Sequence, residues 1–579
     1  MTAVNRMLGA AAVVPLVLSV LVGCGSDPAP RPAPAPGPAS PAAPAPSVSA
    51  APGPTGDPAA RARAAVRTLT DAQLAGQVLM PYAYGDAADR VDKQAAAGNQ
   101  RIAGVDTPAQ MVTKFGLGGL ILVAFAPDDP TGATNPATNV DNPKQVRALT
   151  DGLQQAAAAL PGGAPLLIGT DQEYGVVTRV KEGVTLLPSA MAFGAAARPQ
   201  LTEGAWHAAG TELSAMGINL DFAPVADTLG PRGSSVIGSR AFGADPKANA
   251  TQVQAAVRGI QGAGITAALK HFPGHGHTTG DSHDDLPVVA QSRTKWAAED
   301  RPPFAAGITA GAGVVMSGHL DIEGLDQGVA ATFSRKIMTD LLRGELKFTG
   351  VAITDAMNMK PAMMWPPGEA AVRALNAGND MLLMPPDLAG ARDGILAGLK
   401  DGSLKRERLT EAVTRILTLR YRTAGHPRPD LSVVGAPDHQ RAVGDANAAA
   451  ITLLKGRCTG PLVTGPVTIS ASGGREPARI GLVKALQAAG VQVQAAGGTV
   501  VHLVGYGDRQ TDLNPEASIT VMMDAPYLLA ASRSPTLLAT YSSSPLALTA
   551  LATVLAGKAK APGRSPVAVA GLPRSACTK

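Results

Sequence analysis

The sequence predicts an α/β protein: an N-terminal (β/α)8 TIM-like barrel followed by a smaller open-sheet α/β sandwich domain. Three observations predict it. Eight short apolar runs alternate with longer amphipathic stretches between about residues 65 and 425. Several of these runs end in a polar or charged residue. The alternation resumes on a smaller scale beyond a Pro/Gly-containing break at 425–437. Strands that read as continuous apolar runs are buried on both faces, as in parallel sheets. Eight such units over this length fit a barrel with enlarged loops. The 579 residues, 45% hydrophobic and 16% charged, allow two or three domains with ample core.

In chain order, the N-terminus reads first as a targeting segment. Arg6 supplies a positive charge and Met7 to Val22 is apolar, a run short for a membrane span and laid out like a secretory signal. "LVGC" (21–24) resembles a bacterial lipobox, so 1–23 is expected to be a signal peptide and Cys24 the lipidated first residue. The alternative is an ordinary signal peptide with an incidental cysteine. Residues 24–60 are Pro/Ala-rich and too poor in apolar bulk to build a core; they are expected to be a disordered, semi-rigid tether. At ~3.1 Å per residue its reach approaches about 100 Å. The expected location is therefore the outer face of the cytoplasmic membrane or the cell envelope, held by a lipid anchor. Beyond Cys24 the only cysteines are Cys458 and Cys577; in an exported chain they are a candidate disulfide.

The barrel is expected over 61–425. Its strands are sought in "QVLMPY" (77–82), "GGLILVAF" (118–125), "APLLIGTD" (164–171), "INLDFAPVAD" (218–227), "ITAALKH" (265–271), "GVVMSGH" (313–319), "GVAITD" (350–355) and "DMLLMP" (380–385). The first could equally be helical. Helical patterns lie between most of them, such as 142–160 and 334–346, and 402–422 reads as an amphipathic helix closing the barrel. Asp171, Asp227, Lys270–His271, His319 and Asp355 stand at the ends of these runs. In a barrel those are the C-terminal strand ends, where active sites are built.

Residues 426–437 read as a linker and 438–579 as the second domain. Strands are expected at 466–471, 491–497, 499–507, 518–524 and 536–542. No GxGxxG or GxxxxGK[ST] pattern marks a phosphate cradle there. The net charge of +5 is small for this size and no Lys/Arg run marks a nucleic-acid surface. No nucleic-acid partner is expected.

One stretch concentrates the chemistry. "KHFPGHGHTTGDSHDD" (270–285) holds His271, His275, His277 and His283, four of the nine histidines. Crowded histidines beside Asp281 raise a metal site as one reading and a proton-transfer device as the other. The spacing, broken by Pro and Gly, fits no helical ligand pair such as HExxH, so neither a metal nor another cofactor is expected.

"GTDQEYGVVTR", "GINLDFAPVAD", "VIGSRAFGADP", "KHFPGHGHTTGDSH", "VMSGHL" and "FTGVAITDAMNM" occur in that order. Together they resemble family 3 glycoside hydrolases, specifically the two-domain bacterial β-N-acetylhexosaminidase branch. The resemblance covers about 65–425 and extends more loosely, through "ATYSSSP" and "PGRSPVAVAGLP", into 438–579. It implies an exo-acting, retaining enzyme that removes terminal β-linked N-acetylglucosamine, with peptidoglycan fragments as the expected substrate class. Retaining glycoside hydrolysis needs a carboxylate nucleophile and a proton donor that later acts as base. Asp355 matches the nucleophile. "GDSH" matches a catalytic dyad in which His283 is the acid/base and Asp281 orients it, and a histidine titrates near working pH. The glycines around it suggest a mobile loop.

By the same resemblance Asp171, Arg179, Arg240, Lys270 and His271 contact sugar, Arg240 with better support than Arg179. His319 and Asp227 are further candidates, with structural pairing inside the barrel mouth as their alternative. Met357 and Trp365 are candidates to line the pocket. Tyr174 stands where the family usually has Gly, and His277 where other residues occur; both bear on substrate preference. Three rival functions stay open: a β-N-acetylglucosaminide phosphorylase, a β-glucosidase, and a non-catalytic sugar-binding surface protein. The sequence leaves the oligomeric state as monomer or dimer, and gives the second domain no catalytic group.

Overall fold

The computed structural model describes residues 56–124, 138–231, 233–278 and 280–577. The expected signal peptide, Cys24 and the tether up to residue 55 lie outside the described residues. The end of the tether does not: helix Pro58–Val66 begins inside it, capped by Asp57, whose carboxylate accepts from the Ala59 and Ala60 N–H groups.

All eight apolar runs become parallel strands. They are β1 (Leu79–Met80), β2 (Gly119–Leu122), β3 (Leu167–Thr170), β4 (Leu220–Asp221), β5 (Thr266–Phe272), β6 (Val314–Ser317), β7 (Val351–Thr354) and β8 (Leu382–Leu383). Strands β2 to β7 form one sheet in sequential order, and β1 pairs with β8. Two further seams join these pieces into a ring. Ile121 N–H donates to Pro81 O at 3.0 Å between β2 and β1, and Thr354 N–H to Met381 O at 3.0 Å between β7 and β8. Every strand residue from β1 to β8 is buried, which explains why the runs carry no polar alternation.

Local chemistry sets the boundaries. A Thr70/Gln73 capping box starts helix Asp71–Gln77, so the ambiguous first run is helix up to Gln77 and strand only at Leu79–Met80. Strand β2 can lie against this turn because residue 118 is glycine; a Cβ there would stand 1.9 Å from Gln77 O. Strand β4 is short because Pro224 has no N–H to give the ladder, and pairing resumes only at Val225 with Lys270. The segment expected as a helix at 334–346 is wound between Lys336 and Glu345 with wide i→i+5 bonds, such as Leu346 N–H to Leu341 O at 3.0 Å. Helix Arg406–Thr423 closes the ring and packs on Pro58–Val66.

The second sheet contains β9 (Thr452–Lys455), β10 (Val467–Ala471), β11 (Thr499–Val504), β12 (Ile519–Met522) and β13 (Thr536–Ala539), in the order β9-β13-β12-β11-β10. Only β9 runs antiparallel. Two expectations need correction. Residues 491–497 form no strand: the "VQVQ" alternation lies between left-handed Gly490 and Gly497 and makes a single bridge, Val493 to Val467. Strand β9, directly after helix Pro437–Ala450, was not expected.

The faces of this sheet explain its placement. Leu453, Val501, Leu503, Ile519, Val521 and Leu538 point to helices Glu476–Ala488 and Pro545–Leu555. Their neighbours Leu454, Val504, Met522, Leu537 and Ala539 pack against Met191, Ala192, Val225, Leu229 and Ile237 of the barrel. The barrel is thus the second cover of a sheet whose own helices cover one face. Cys458 and Cys577 form a disulfide, with Cα atoms 5.3 Å apart, that ties the chain after β9 to the C-terminal tail.

Candidate active site

The two ends of the barrel carry different chemistry. At the start of β8, buried Asp380 accepts from Arg343 (2.5 Å), Arg408 (2.9 Å) and Arg415 (3.0 Å), a network that ties the closing helix to the ring. The C-terminal ends instead open into a recess lined by Asp171, Arg179, Arg240, Lys270, His271, His275, Ser282, His283 and Asp355. Most of the expected sugar-contacting residues and the expected nucleophile and proton donor therefore converge.

Asp355 directly follows β7. Its N–H donates to Ser317 O at 2.9 Å, and its Oδ1 accepts the Ala356 N–H at 2.8 Å. Burial pushes its carboxyl up, but His271, His319, His283 and the Ala356 N–H outweigh that and hold it below the usual carboxylate range. It is an ionised carboxylate fixed by backbone on both sides.

His283 lies across the recess on the loop after β5. Its Nδ1 is 2.6 Å from Asp281 Oδ1, and its backbone N–H reaches the same oxygen at 2.9 Å. Burial raises the Asp281 carboxyl; the two hydrogen bonds from His283 win and hold it below its ordinary value. An ionised Asp281 on Nδ1 makes Nδ1 the protonated nitrogen and leaves Nε2 to exchange a proton.

The floor is an ion-pair lattice. Lys270 Nζ lies 2.6 Å from Asp171 and 2.7 Å from Glu173. Arg240 clamps Glu173 through Nε at 2.7 Å and a second nitrogen at 2.9 Å. Arg179 stands 3.6 Å from Asp171. Burial works against the charge on Glu173, yet Arg240 and Lys270 hold its carboxyl well below the usual range. Burial likewise lowers the Lys270 ammonium, and Asp171 and Glu173 more than restore it. Asp171 keeps 16% of its side chain exposed against 3% for Glu173, so Asp171 is the acid that faces the recess and Glu173 the one buried among the cations.

Behind this floor, Asp227 is a hub. It accepts the His271 N–H (3.1 Å), His271 Nδ1 (2.8 Å) and the His275 N–H (2.8 Å). Nδ1 of His271 therefore carries its proton and Nε2 accepts from Arg240 at 3.3 Å. Asp227 is fully buried, so it takes the structural pairing role and not a ligand contact. His275 Nε2 bonds Ser282 Oγ (3.0 Å), the residue between Asp281 and His283. His277 sits between Glu299 (2.7 Å) and Asp300 (3.1 Å) on the following helices. The crowded histidines thus have separate partners, and no metal-ligand cluster occurs among the described residues.

Four site expectations are corrected. His319 is wholly buried beside the Asp355–Ala356 turn, bonded to Ala356 O (3.1 Å) and Thr332 Oγ1 (2.9 Å) and stacked on Phe333. It supports the Asp355 turn and does not line the recess. Met357 turns into a separate apolar cavity with Ala362, Trp365 and Ala370, because the chain reverses after Ala356. Trp365 lines that cavity too, edge-on to Phe333 at 4.6 Å, and does not reach the polar recess. Tyr174 is also buried, edge-on to Trp206, in left-handed backbone (φ 65°). It fills core space under the strand end and does not line the recess.

Glu173 and Asp221 were missed. Asp221 is fully buried, takes the Gln172 N–H at 3.0 Å, and is pushed well above the carboxylate range by burial. An acidic residue three positions past a strand end, in a chain with Lys270 at another strand end, was the available signal for Glu173.

Residues 90–419 match the family model described as the glycosyl hydrolase family 3 N-terminal domain. The chain is 33% identical over 436 residues to "Beta-hexosaminidase A" of Pseudoalteromonas piscicida, covering 69% of each protein. It is 39% identical over 268 residues to "Beta-hexosaminidase" of Pseudomonas aeruginosa (strain LESB58), covering 45% of this chain and 76% of that one. Among solved structures, a glycoside hydrolase family 3 beta-N-acetylglucosaminidase from Paenibacillus sp. str. FPU-7 superposes with a TM-score of 0.75 at 31% identity. The match covers 87% of this chain and 99% of that one.

Proposed function

The chain belongs to glycosyl hydrolase family 3, and from that premise we propose that it is an exo-acting, retaining β-N-acetylhexosaminidase. The hexosaminidase names of its relatives support the substrate class. The observation that carries the reading is that Asp355 and His283 line one recess with the charged Asp171, Lys270 and Arg240 side chains.

In this reading the lattice at Asp171, Lys270, Arg240 and His271 grips sugar hydroxyls through charge-assisted hydrogen bonds. Asp355 attacks the anomeric carbon while His283 Nε2 protonates the leaving oxygen, giving a glycosyl-Asp355 ester. Asp281 stabilises the imidazolium before transfer and keeps Nδ1 protonated after it. His283 then takes a proton from water, which attacks the same carbon and releases the sugar with its configuration retained. Hydrolysis of an aryl N-acetyl-β-glucosaminide tests the reading: wild type turns it over and Asp355→Asn does not. Near wild-type rates in that variant sink it.

The proposal extends to place and substrate. The lipobox-like "LVGC" and the Pro/Ala-rich stretch behind it support an exported, lipid-anchored enzyme acting on peptidoglycan fragments at the cell surface. Globomycin sensitivity of processing, with Cys24→Ala blocking it, tests the anchor. Phosphorolysis is the second reading, favoured by His283: a neutral imidazole repels an incoming phosphate less than a carboxylate would. Sugar 1-phosphate in phosphate buffer would establish it; free sugar alone excludes it.

A further inference from the structure

The loop after β5, which carries Asp281 and His283, is held in two unequal halves. Its first half is fixed to the barrel. Trp296 Nε1 donates to Pro273 O at 2.9 Å, the Gly230 N–H to Gly276 O at 2.9 Å, and the His275 N–H to Asp227 at 2.8 Å. Gly276 packs so closely that a Cβ there would stand 2.1 Å from Thr228 O. The second half has few ties. Among the described residues, two side-chain bonds join 281–286 to residues outside that stretch. Lys360 Nζ reaches Asp284 at 3.1 Å, but both side chains are exposed, and such a pair holds weakly. His275 Nε2 bonds Ser282 Oγ at 3.0 Å, and both of these residues are buried.

The His275 end of that bond is well fixed. Its Nδ1 is buried with no partner, so a proton there would be an orphaned donor; the neutral ring carries its proton on Nε2 and donates it to Ser282 Oγ. Burial and the neighbouring His271 lower the imidazole to about 4, which keeps it neutral near pH 7 and removes it as a second proton donor. The Asp227 oxygen that takes the His275 N–H also takes the His271 N–H. The floor of the recess and the loop above it are therefore referred to one buried carboxylate.

We propose that His275 and Ser282 are positioning residues, whose bond seats the Asp281–His283 pair against the recess and so sets how well His283 delivers its proton. The inference rests on the reading of His283 as the acid/base and deepens it, by naming what holds that group in place.

The test uses the full chain and two aryl N-acetyl-β-glucosaminides, phenyl and dinitrophenyl. Phenoxide needs a proton to leave; dinitrophenoxide does not. For both, kcat/KM reports the step that forms the glycosyl-Asp355 ester. Ser282→Ala should lower kcat/KM about tenfold on the phenyl glycoside, the scale of one hydrogen bond, and less than about twofold on the dinitrophenyl glycoside. His275→Phe, which keeps a ring but not the bond, should show the same split, and the double variant should lose no more than the larger single loss. A loosened fold would slow both glycosides alike. Equal losses on the two glycosides, or no loss on the phenyl glycoside, in Ser282→Ala overturn the inference; if that variant does not fold, the same outcomes in His275→Phe do so. His283→Gln is the control for the underlying reading. There the phenyl loss must exceed the dinitrophenyl loss, and if it does not, the dyad reading falls as well.

Discussion

Nδ1 of His283 and Oδ1 of Asp281 are 2.6 Å apart, and the same oxygen receives the backbone N–H of His283. One carboxylate oxygen therefore fixes both the ring and the chain that carries it. Asp281→Asn should lower kcat by about 10²–10³-fold, the range of general acid–base catalysis, with a smaller change in KM. The amide keeps the size but can offer an N–H to Nδ1, which favours the wrong tautomer. Steady-state kinetics on an aryl glycoside check this; equal losses in Asp281→Asn and a distant surface control would remove Asp281 from the dyad.

Glu173 neutralises two buried cations, Lys270 and Arg240. Glu173→Gln should destabilise the fold by about 3–5 kcal/mol, the cost of breaking a buried pair and leaving its partner uncompensated. KM should rise because Lys270 and Arg240 lose their common anchor. Thermal unfolding and KM measured on one preparation test both halves; an unchanged Tm would mean that Asp171 alone holds the cations.

His275 carries a pH signature. Burial, then His271 and Arg240, lower its imidazole from 6.5 to about 4, with Asp227 acting the other way. Its folded value lies below its unfolded one, so the unfolded chain binds the proton first. The stability it contributes is complete above pH 6.5 and is lost as pH falls through 4, on the order of 3 kcal/mol. His277, raised by Asp300 and Glu299 against its burial, works in the opposite sense, adding stability below pH 6.5 that is lost as pH rises through its folded value. Urea unfolding from pH 7 to pH 4 should show a shallower acid fall in His275→Gln than in wild type. Parallel curves would contradict the assignment.

The Cys458–Cys577 bridge closes a loop of 119 residues that contains most of the second sheet. Chain-entropy reasoning gives about 5 kcal/mol for a loop of this length. Reduction, or the Cys458→Ser/Cys577→Ser double variant, should lower the unfolding midpoint. Identical melting with and without reductant would show that the bridge contributes nothing.

The barrel was legible because its strands are buried on both faces and read as unbroken apolar runs. The polar residues ending those runs, Asp171, Lys270, His271 and Asp355, converge for the same reason: a closed parallel barrel brings all its strand ends to one mouth. The second sheet was less legible. "VQVQ" has the period of a strand, but the flanking glycines at 490 and 497 turn the chain before a ladder forms. Strand β9 is a short edge strand directly behind an alanine-rich helix, with no break in composition to announce it. Glu173 was hidden because an acid inside a motif looks the same whether it meets ligand or holds cations; burial alone separates it from Asp171. Met357 and His319 follow strand ends like the lining residues; Met357 is turned into an apolar cavity after Ala356, and His319 is held in the core by Ala356 O, Thr332 and Phe333.

The central claim is that Asp355 forms a covalent bond to the sugar while His283 handles the proton. The direct measurement is mass spectrometry of the enzyme after incubation with a 5-fluoro N-acetylglucosaminyl fluoride, which slows breakdown of a glycosyl ester. The account predicts one added sugar on the peptide containing Asp355 and none in Asp355→Asn. An unlabelled wild-type enzyme that turns the reagent over with inversion, or a label on any other carboxylate, would contradict it.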